Sequence, residues 1–170
     1  MIKKSITDAI NAQIAKEMYS ANLYLSMAAY FQSINMAGFA NWMRVQVQEE
    51  TFHSLKFFDY MMSRGATPKI SAIPAPETKW KSPLDAFKAA YKHEQSITES
   101  INKLADLAIK ESDHATNILL QWFITEQVEE EETVNEIVEK IKLIGDFTGG
   151  LIMLDNELKT RVFTPPATAQ

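Results

Sequence analysis

The chain has 170 residues, 46% of them apolar and 23% charged, with a net charge of −5 and no cysteine. That length and balance suit one globular domain with a sizeable core, and the acidic charge argues against a general nucleic-acid binder. Without thiols, disulfides and thiolate metal sites are excluded; any metal must be held by carboxylate, imidazole or amide oxygen, an oxygen-rich donor set that suits Mg, Ca, Mn or Fe, with imidazole shifting the odds towards Fe, Zn or Mn.

The start, Met1-Ile2-Lys3-Lys4-Ser5, has no apolar core of a secretory signal, and no apolar run approaches the roughly 20 residues that span a bilayer. The expectation is a cytoplasmic protein with no membrane partner. Residues 5–33 contain no Gly or Pro and many good helix formers, which predicts a first helix. Steps of three and four place Ile6, Ile10, Ile14, Glu17, Ala21, Tyr24, Ala28 and Phe31 on one stripe. Glu17 breaks that apolar line, and Tyr24 lies nearly in register with it. Asn35-Met36-Ala37-Gly38 reads as a short turn, so a second helix over 39–63 returns antiparallel and stops at Gly65. Its stripe is Phe39, Met43, Val47, Glu50, His53, Phe57 and Met61. Glu50 and His53 stand at i, i+3, a spacing at which two side chains converge on one point as metal-ligand arms do.

Residues 65–81 carry Pro68, Pro74 and Pro76 and cannot form continuous helix. Extended at about 3.3 Å per residue, they span over about 50 Å. A helix of about 28 residues is only about 42 Å long. The segment can therefore cross the whole bundle, leaving the third helix parallel to the second. Ser82-Pro83-Leu84-Asp85 predicts a helix start, with Ser82 as cap, Pro83 in the first turn and Asp85 completing a capping-box-like pattern. The stripe that follows is Leu84, Phe87, Tyr91, Glu94, Ile97, Ile101, Leu104 and Ala108, with Glu94 its lone acid. After a break at Ser112-Asp113, a fourth helix presents Leu119, Phe123, Gln127, Glu130, Val134, Ile137 and Ile141, and Gly145 ends it. Asp146 is placed to cap a short fifth helix over 146–158, and a tail over 164–170, with Pro165 and Pro166, is expected to fray. The whole is read as one domain over 1–170, with the bundle over about 5–144.

Each long helix thus turns polar residues onto a face that should be dry: Glu17, Glu50, His53, Glu94, Gln127 and Glu130. Two carboxylates at 4 Å repel by roughly 4 kcal/mol at an effective dielectric of about 20, so several are protonated or cations hold them together. Four Glu and one His suit two divalent ions that share a bridging carboxylate; a single Ca or Mg needs neither the His nor this much charge. The set reads as a di-iron centre. Blander readings exist for its neighbours. A tyrosine such as Tyr24 is most often a core residue with a satisfied hydroxyl. Glu129 to Glu132 is a run of four acids, and such runs are usually solvated. His93 and His114 lie off the stripes and read as surface residues, while Trp42, Trp80, Trp122 and the methionines read as packing or interface groups.

On Glu17, the Glu49-Glu50-x-x-His53 run, Glu94 and Glu126-Gln127-x-x-Glu130, the chain resembles the ferritins of the bacterial and archaeal non-haem type, from about residue 4 to 158. The resemblance implies an all-α fold: a ferritin-like four-helix bundle with one long crossover between helices two and three, plus a short fifth C-terminal helix. It implies a twenty-four-subunit cage of this chain that stores iron, a ferroxidase oxidising Fe(II) to Fe(III) with O₂ or hydrogen peroxide. By position, Glu17, Glu50 and His53 would hold one iron. Glu50, Glu94 and Glu130 would hold the second, with Glu50 bridging. Gln127 would hydrogen-bond near the oxygen-binding side, and Tyr24 matches a tyrosine beside the centre that can donate an electron. Glu49, Glu126 and Glu129, with Glu130 shared, match a third iron site. The fourth helix carries Gln127-x-x-Glu130 where a bacterioferritin has Glu-x-x-His, and Thr51 stands where that relative has its haem-ligating Met, so no haem is expected. Asn117 and Leu120 fall where animal-type ferritins place acids in a threefold channel, which argues against an acidic entry route there. Competing functions are another di-iron bundle enzyme, a peroxidase or rubrerythrin-like protein, for which the lack of Cys removes a rubredoxin-type iron, and a purely structural bundle; cytokine-like bundles carry two long crossovers rather than one.

Overall fold

Three of the long helices stop in the same way. In the computed structural model, which describes residues 2–165, the chain forms α1 (Lys4–Ser33), α2 (Ala37–Ser63), α3 (Pro83–Lys110), α4 (His114–Ile144) and α5 (Thr148–Leu158), and no strand is present among the described residues. Asn35, Gly65 and Ser112 each adopt positive φ just past a helix end. Each allows a pair of reverse hydrogen bonds: Met36 N–H to Phe31 O and Asn35 N–H to Gln32 O, Ala66 N–H to Met61 O and Gly65 N–H to Met62 O, and Asp113 N–H to Ala108 O and Ser112 N–H to Ile109 O. These satisfy carbonyls that the helix leaves bare.

Helix starts follow the sequence less uniformly. Ser82 Oγ accepts from Asp85 N–H at 3.1 Å, as expected, but the Asp85 carboxylate reaches Lys81 N–H rather than that of Ser82. Asp113 caps α4 by accepting from Thr116 N–H at 3.1 Å. α2 starts two residues before the expected position. Ala37 and Gly38 are helical because the bare amides of Gly38 and Phe39 donate to the Asp155 carboxylate of α5, at 2.7 and 3.1 Å. Asp146 does not cap α5; the residue preceding that helix is Phe147, with no side-chain cap. The part of the expected frayed tail at 166–170 lies outside the described residues.

Contacts at one end of the bundle fix the topology. Lys3 Nζ at the start of α1 donates to the Glu111 carbonyl and carboxylate at the end of α3, at 2.7 and 3.0 Å. Arg64 at the end of α2 grips Asp113 at the start of α4 with two bonds, at 3.0 and 3.1 Å. Hence α2 and α3 run parallel and the crossover covers the bundle's length. It follows α1: Lys69 N–H donates to Asn11 Oδ1 at 2.8 Å, Ser26 Oγ to Glu77 O at 2.7 Å, and the Trp80 ring lies 5.4 Å from that of Tyr30.

The interior is not one continuous core. One apolar cluster holds Tyr24, Phe31, Phe39, Trp42, Phe87 and Ile137 with Leu154 and Leu158 of α5. A second, towards the Arg64–Asp113 end, holds Ile6, Ile10, Phe57, Ile101, Leu120 and Phe123. Leu120 is therefore core and lines no outer surface. Between the clusters lies a layer of buried polar side chains.

Candidate metal centre

That layer contains all six residues expected on the inward stripes. Glu17, Glu50, His53, Glu94, Gln127 and Glu130 are each at most 5% exposed. Glu17, Glu50 and His53 bring ligand atoms within 4.8 Å of one another, and His53, Glu126 and Glu130 do the same. His53 Nδ1 lies 3.5 Å from Glu50 Oε2. Glu94 joins neither triplet. One of its oxygens takes the Tyr24 hydroxyl and the other takes the Gln127 amide at 3.3 Å.

Three glutamines hold the acids in place. Besides Gln127, Gln13 Nε2 donates to Glu17 Oε1 at 2.7 Å and Gln46 Nε2 to Glu130 Oε2 at 2.8 Å. Gln13 and Gln46 are nearly inaccessible, and sequence reasoning missed both. Their only signal was the adjacency of buried positions beside the stripe, since both lie on helix faces next to it. Thr98, also unforeseen, receives the Gln127 amide at 3.3 Å.

Burial dominates the electrostatics. It raises Glu17 and Glu94 to about 7, against the lowering effect of hydrogen bonds from Gln13 to Glu17 and from Tyr24 and Gln127 to Glu94. Burial, then the neighbouring Glu94, holds Glu50 and Glu130 well above the usual carboxylate range. Burial also lowers His53 to about 4, so its imidazole is neutral at pH 7 with a lone pair free to ligate. Burial and the surrounding carboxylates push the Tyr24 phenol up. Glu17 Oε2 and Gln46 Oε1 are buried with no hydrogen-bond partner. A carboxylate oxygen left bare in a dry interior costs free energy that a bound cation would recover. The residues present therefore fit divalent metal ions.

The outer acids are arranged differently. Glu126 is half-buried beside His53 and Glu130, whereas Glu129 is exposed. Glu49 pairs with Arg161 from the segment after α5, at 2.7 Å. Thr51 is exposed, its hydroxyl spent on the Val47 carbonyl at 2.7 Å. His93 is not the surface residue expected. It is half-buried against Tyr19, with Nε2 2.7 Å from Ser20 Oγ, and burial lowers it to about 4. His114 is exposed.

Comparison with known proteins identifies the family to which this fold belongs. The family model for the ferritin-like domain matches residues 7–144. A bacterial non-heme ferritin of Bacteroides fragilis (strain 638R) is 42% identical over 161 residues, covering 95% of this chain and all of that protein. Among solved structures, a closed form of the Archaeoglobus fulgidus ferritin, engineered by site-directed mutagenesis, superposes with a TM-score of 0.95 at 49% identity, covering 96% of this chain and all of that one. An open-pore ferritin from the same hyperthermophilic archaeon gives 0.94 at 48% identity, covering 95% and 99%. The likeness spans the bundle, the crossover and α5 together, and the chain belongs to the ferritin family.

Proposed function

We propose that this protein is an iron-storage ferroxidase. Fe(II) is its substrate, oxidised to Fe(III) by O₂ or hydrogen peroxide, and the ferric product is stored as mineral inside a shell of twenty-four copies of the chain. One observation carries this reading: four glutamates and a neutral histidine are buried in one polar layer between two apolar clusters, with one carboxylate oxygen unpartnered.

Glu17, Glu50 and His53 would hold the first iron, and Glu50, Glu94 and Glu130 the second. Hard carboxylate oxygens favour Fe(III) over Fe(II) and so favour oxidation. Two Fe(II) ions held by these residues would each give up one electron, and with two protons from solvent the pair would take O₂ to hydrogen peroxide, or hydrogen peroxide to two waters. Gln13, Gln46 and Gln127 keep the acids aimed inward. Tyr24 holds Glu94 and stands next to Trp42, ring centroids 6.3 Å apart, which suits an electron donor beside the centre. Glu126 and Glu49, with Glu130 shared, would take a third iron, with Glu129 as an outer ligand.

Self-assembly is supported by large apolar side chains left bare on one subunit, among them Ile118, Leu143, Phe147 and Met153. No described helix is long and apolar enough to cross a membrane. The reading places the protein in the cytoplasm, where reducing conditions keep iron as Fe(II).

Aerobic addition of Fe(II) should give rapid growth of ferric absorbance on a particle of several hundred kDa. Glu50→Ala and Glu130→Ala should slow that growth severely; wild-type rates in both, or a protein that stays monomeric under all conditions, would overturn the reading.

A further inference from the structure

The segment after α5 does more than end the chain. Asn41 Nδ2 of α2 donates to the carbonyls of Leu158, Lys159 and Arg161 at 3.2, 3.3 and 3.0 Å, folding the segment back along α2. This delivers the Arg161 guanidinium to two partners. Nη2 donates to Glu49 Oε2 at 2.7 Å. Nη1 donates to the Trp42 carbonyl at 3.3 Å, and the guanidinium carbon lies 4.4 Å from the Trp42 ring centroid. The Arg161 and Glu49 side chains are only 22% and 21% exposed.

Glu49 stands next in sequence to Glu50, and its charge is felt at Glu94, Glu126 and Glu130. A divalent ion on Glu49 would sit within a few ångströms of a fixed cation that already occupies the same oxygen. Charges of like sign at that range repel strongly in a partly desolvated site. The guanidinium need not be stranded when it leaves, because its Trp42 carbonyl and ring remain as a resting place. We propose that Arg161 is a counter-ion latch on Glu49, which holds that carboxylate in the cation-free protein and must let go for a third cation to bind, so that this cation is held most weakly and lost most easily. Arg161 is a positioning residue, and the inference rests on the reading above that Glu49 takes a cation.

Calorimetric titration of the metal-free, full-length protein with Zn(II), which is redox-inert, tests it. Wild type should show a weakest class of site beyond two tighter ones. Arg161→Gln should tighten that class by about tenfold while the tighter classes shift by less than about twofold, and Glu49→Gln should abolish it. If Glu49→Gln abolishes the class but Arg161→Gln leaves it unchanged or weaker, the latch is overturned and Glu49 stands as a ligand. If the class survives in Glu49→Gln, Glu49 is no ligand and the latch falls with it. A second measurement needs no variant at position 161. Zn(II) should speed amide hydrogen exchange over residues 159–163 in wild type, and not in Glu49→Gln; no change in wild type counts against the latch.

Discussion

Gly38 and Asp155 form the joint between α5 and the start of α2. The Gly38 amide donates to the Asp155 carboxylate at 2.7 Å, while a Cβ on Gly38 would stand 1.6 Å from the Asp155 carbonyl oxygen. Only glycine allows backbone to approach so closely, and the carboxylate meets the positive end of α2.

Gly38→Ala is expected to push α5 off its seat. The clash should cost about 3 kcal/mol or more, against a gain of up to about 1 kcal/mol from alanine's helix propensity. Denaturant midpoints and hydrogen exchange across Thr148–Leu158 measure it. Asp155→Asn keeps an acceptor and loses only the charge, so its cost should be about 0.5–1 kcal/mol.

Tyr24→Phe removes the donor on one Glu94 oxygen and leaves Gln127 on the other. The fold should lose about 1–2 kcal/mol, as for a buried acceptor left unpaired. Fe(II) oxidation should slow several-fold, with a parallel loss in anaerobic Fe(II) affinity if positioning of Glu94 is the cause. A slower oxidation with unchanged affinity would instead mark the tyrosine as an electron donor.

The stability of the metal-free protein should fall as pH rises from about 4.5 to 7. Glu17 and Glu94 are raised from 4.5 to about 7, so the folded state keeps protons that the unfolded chain has lost. Their stabilising contribution is complete below the unfolded value and is lost as pH climbs through the folded one. His53 and His93, each lowered from 6.5 to about 4, act oppositely: their contribution is present above 6.5 and lost as pH falls towards 4. Glu17 and Glu94, joined by Glu50 and Glu130, which are also raised, outweigh the two imidazoles. Thermal melts of metal-free protein between pH 5 and 8 should therefore slope downward, and saturation with Zn(II), which requires the deprotonated acids, should flatten or reverse the slope. Glu17→Gln should flatten it in the absence of metal.

Glu126 and Glu129 are neighbours in sequence but not in setting. Glu126 shares a cluster with His53 and Glu130, and Glu129 faces solvent. Anaerobic titration should show that Glu126→Gln weakens a cation site by about tenfold or more, whereas Glu129→Gln changes it by less than about threefold. Equal effects would mean that Glu129 swings inward when cations bind.

What could be read from the sequence was whatever repeats along a helix. Glu17, Glu50, His53, Glu94, Gln127 and Glu130 interrupt apolar stripes, and all six are buried together. Local chemistry was legible as well: the Ser82 cap and the αL stop at Gly65 depend only on adjacent residues. Residues whose role is set by distant partners were not. Gln13 and Gln46 sit beside the stripes and declare themselves only through acids on their own or another helix. Asp155 caps a helix more than a hundred residues away in sequence, so no local pattern could place it, and Asp146, the nearer acid, was the wrong expectation. His93 appeared superficial because its cover, Tyr19 and Ser20, comes from a different helix.

The acid layer divides the apolar interior into two bodies of hydrocarbon, one gathered around Phe31, Phe39 and Phe87, the other around Phe57 and Phe123. At the level of the divide, four rods face one another across groups that repel when ionised. Dispersion and water exclusion bind the rods above and below, but not there. Ions gripping Glu17 and Glu50 on one side and Glu130 on the other would act as cross-braces at mid-height. Cargo loading would then stiffen the container wall as well as fill it, and an emptied subunit would breathe most at its waist.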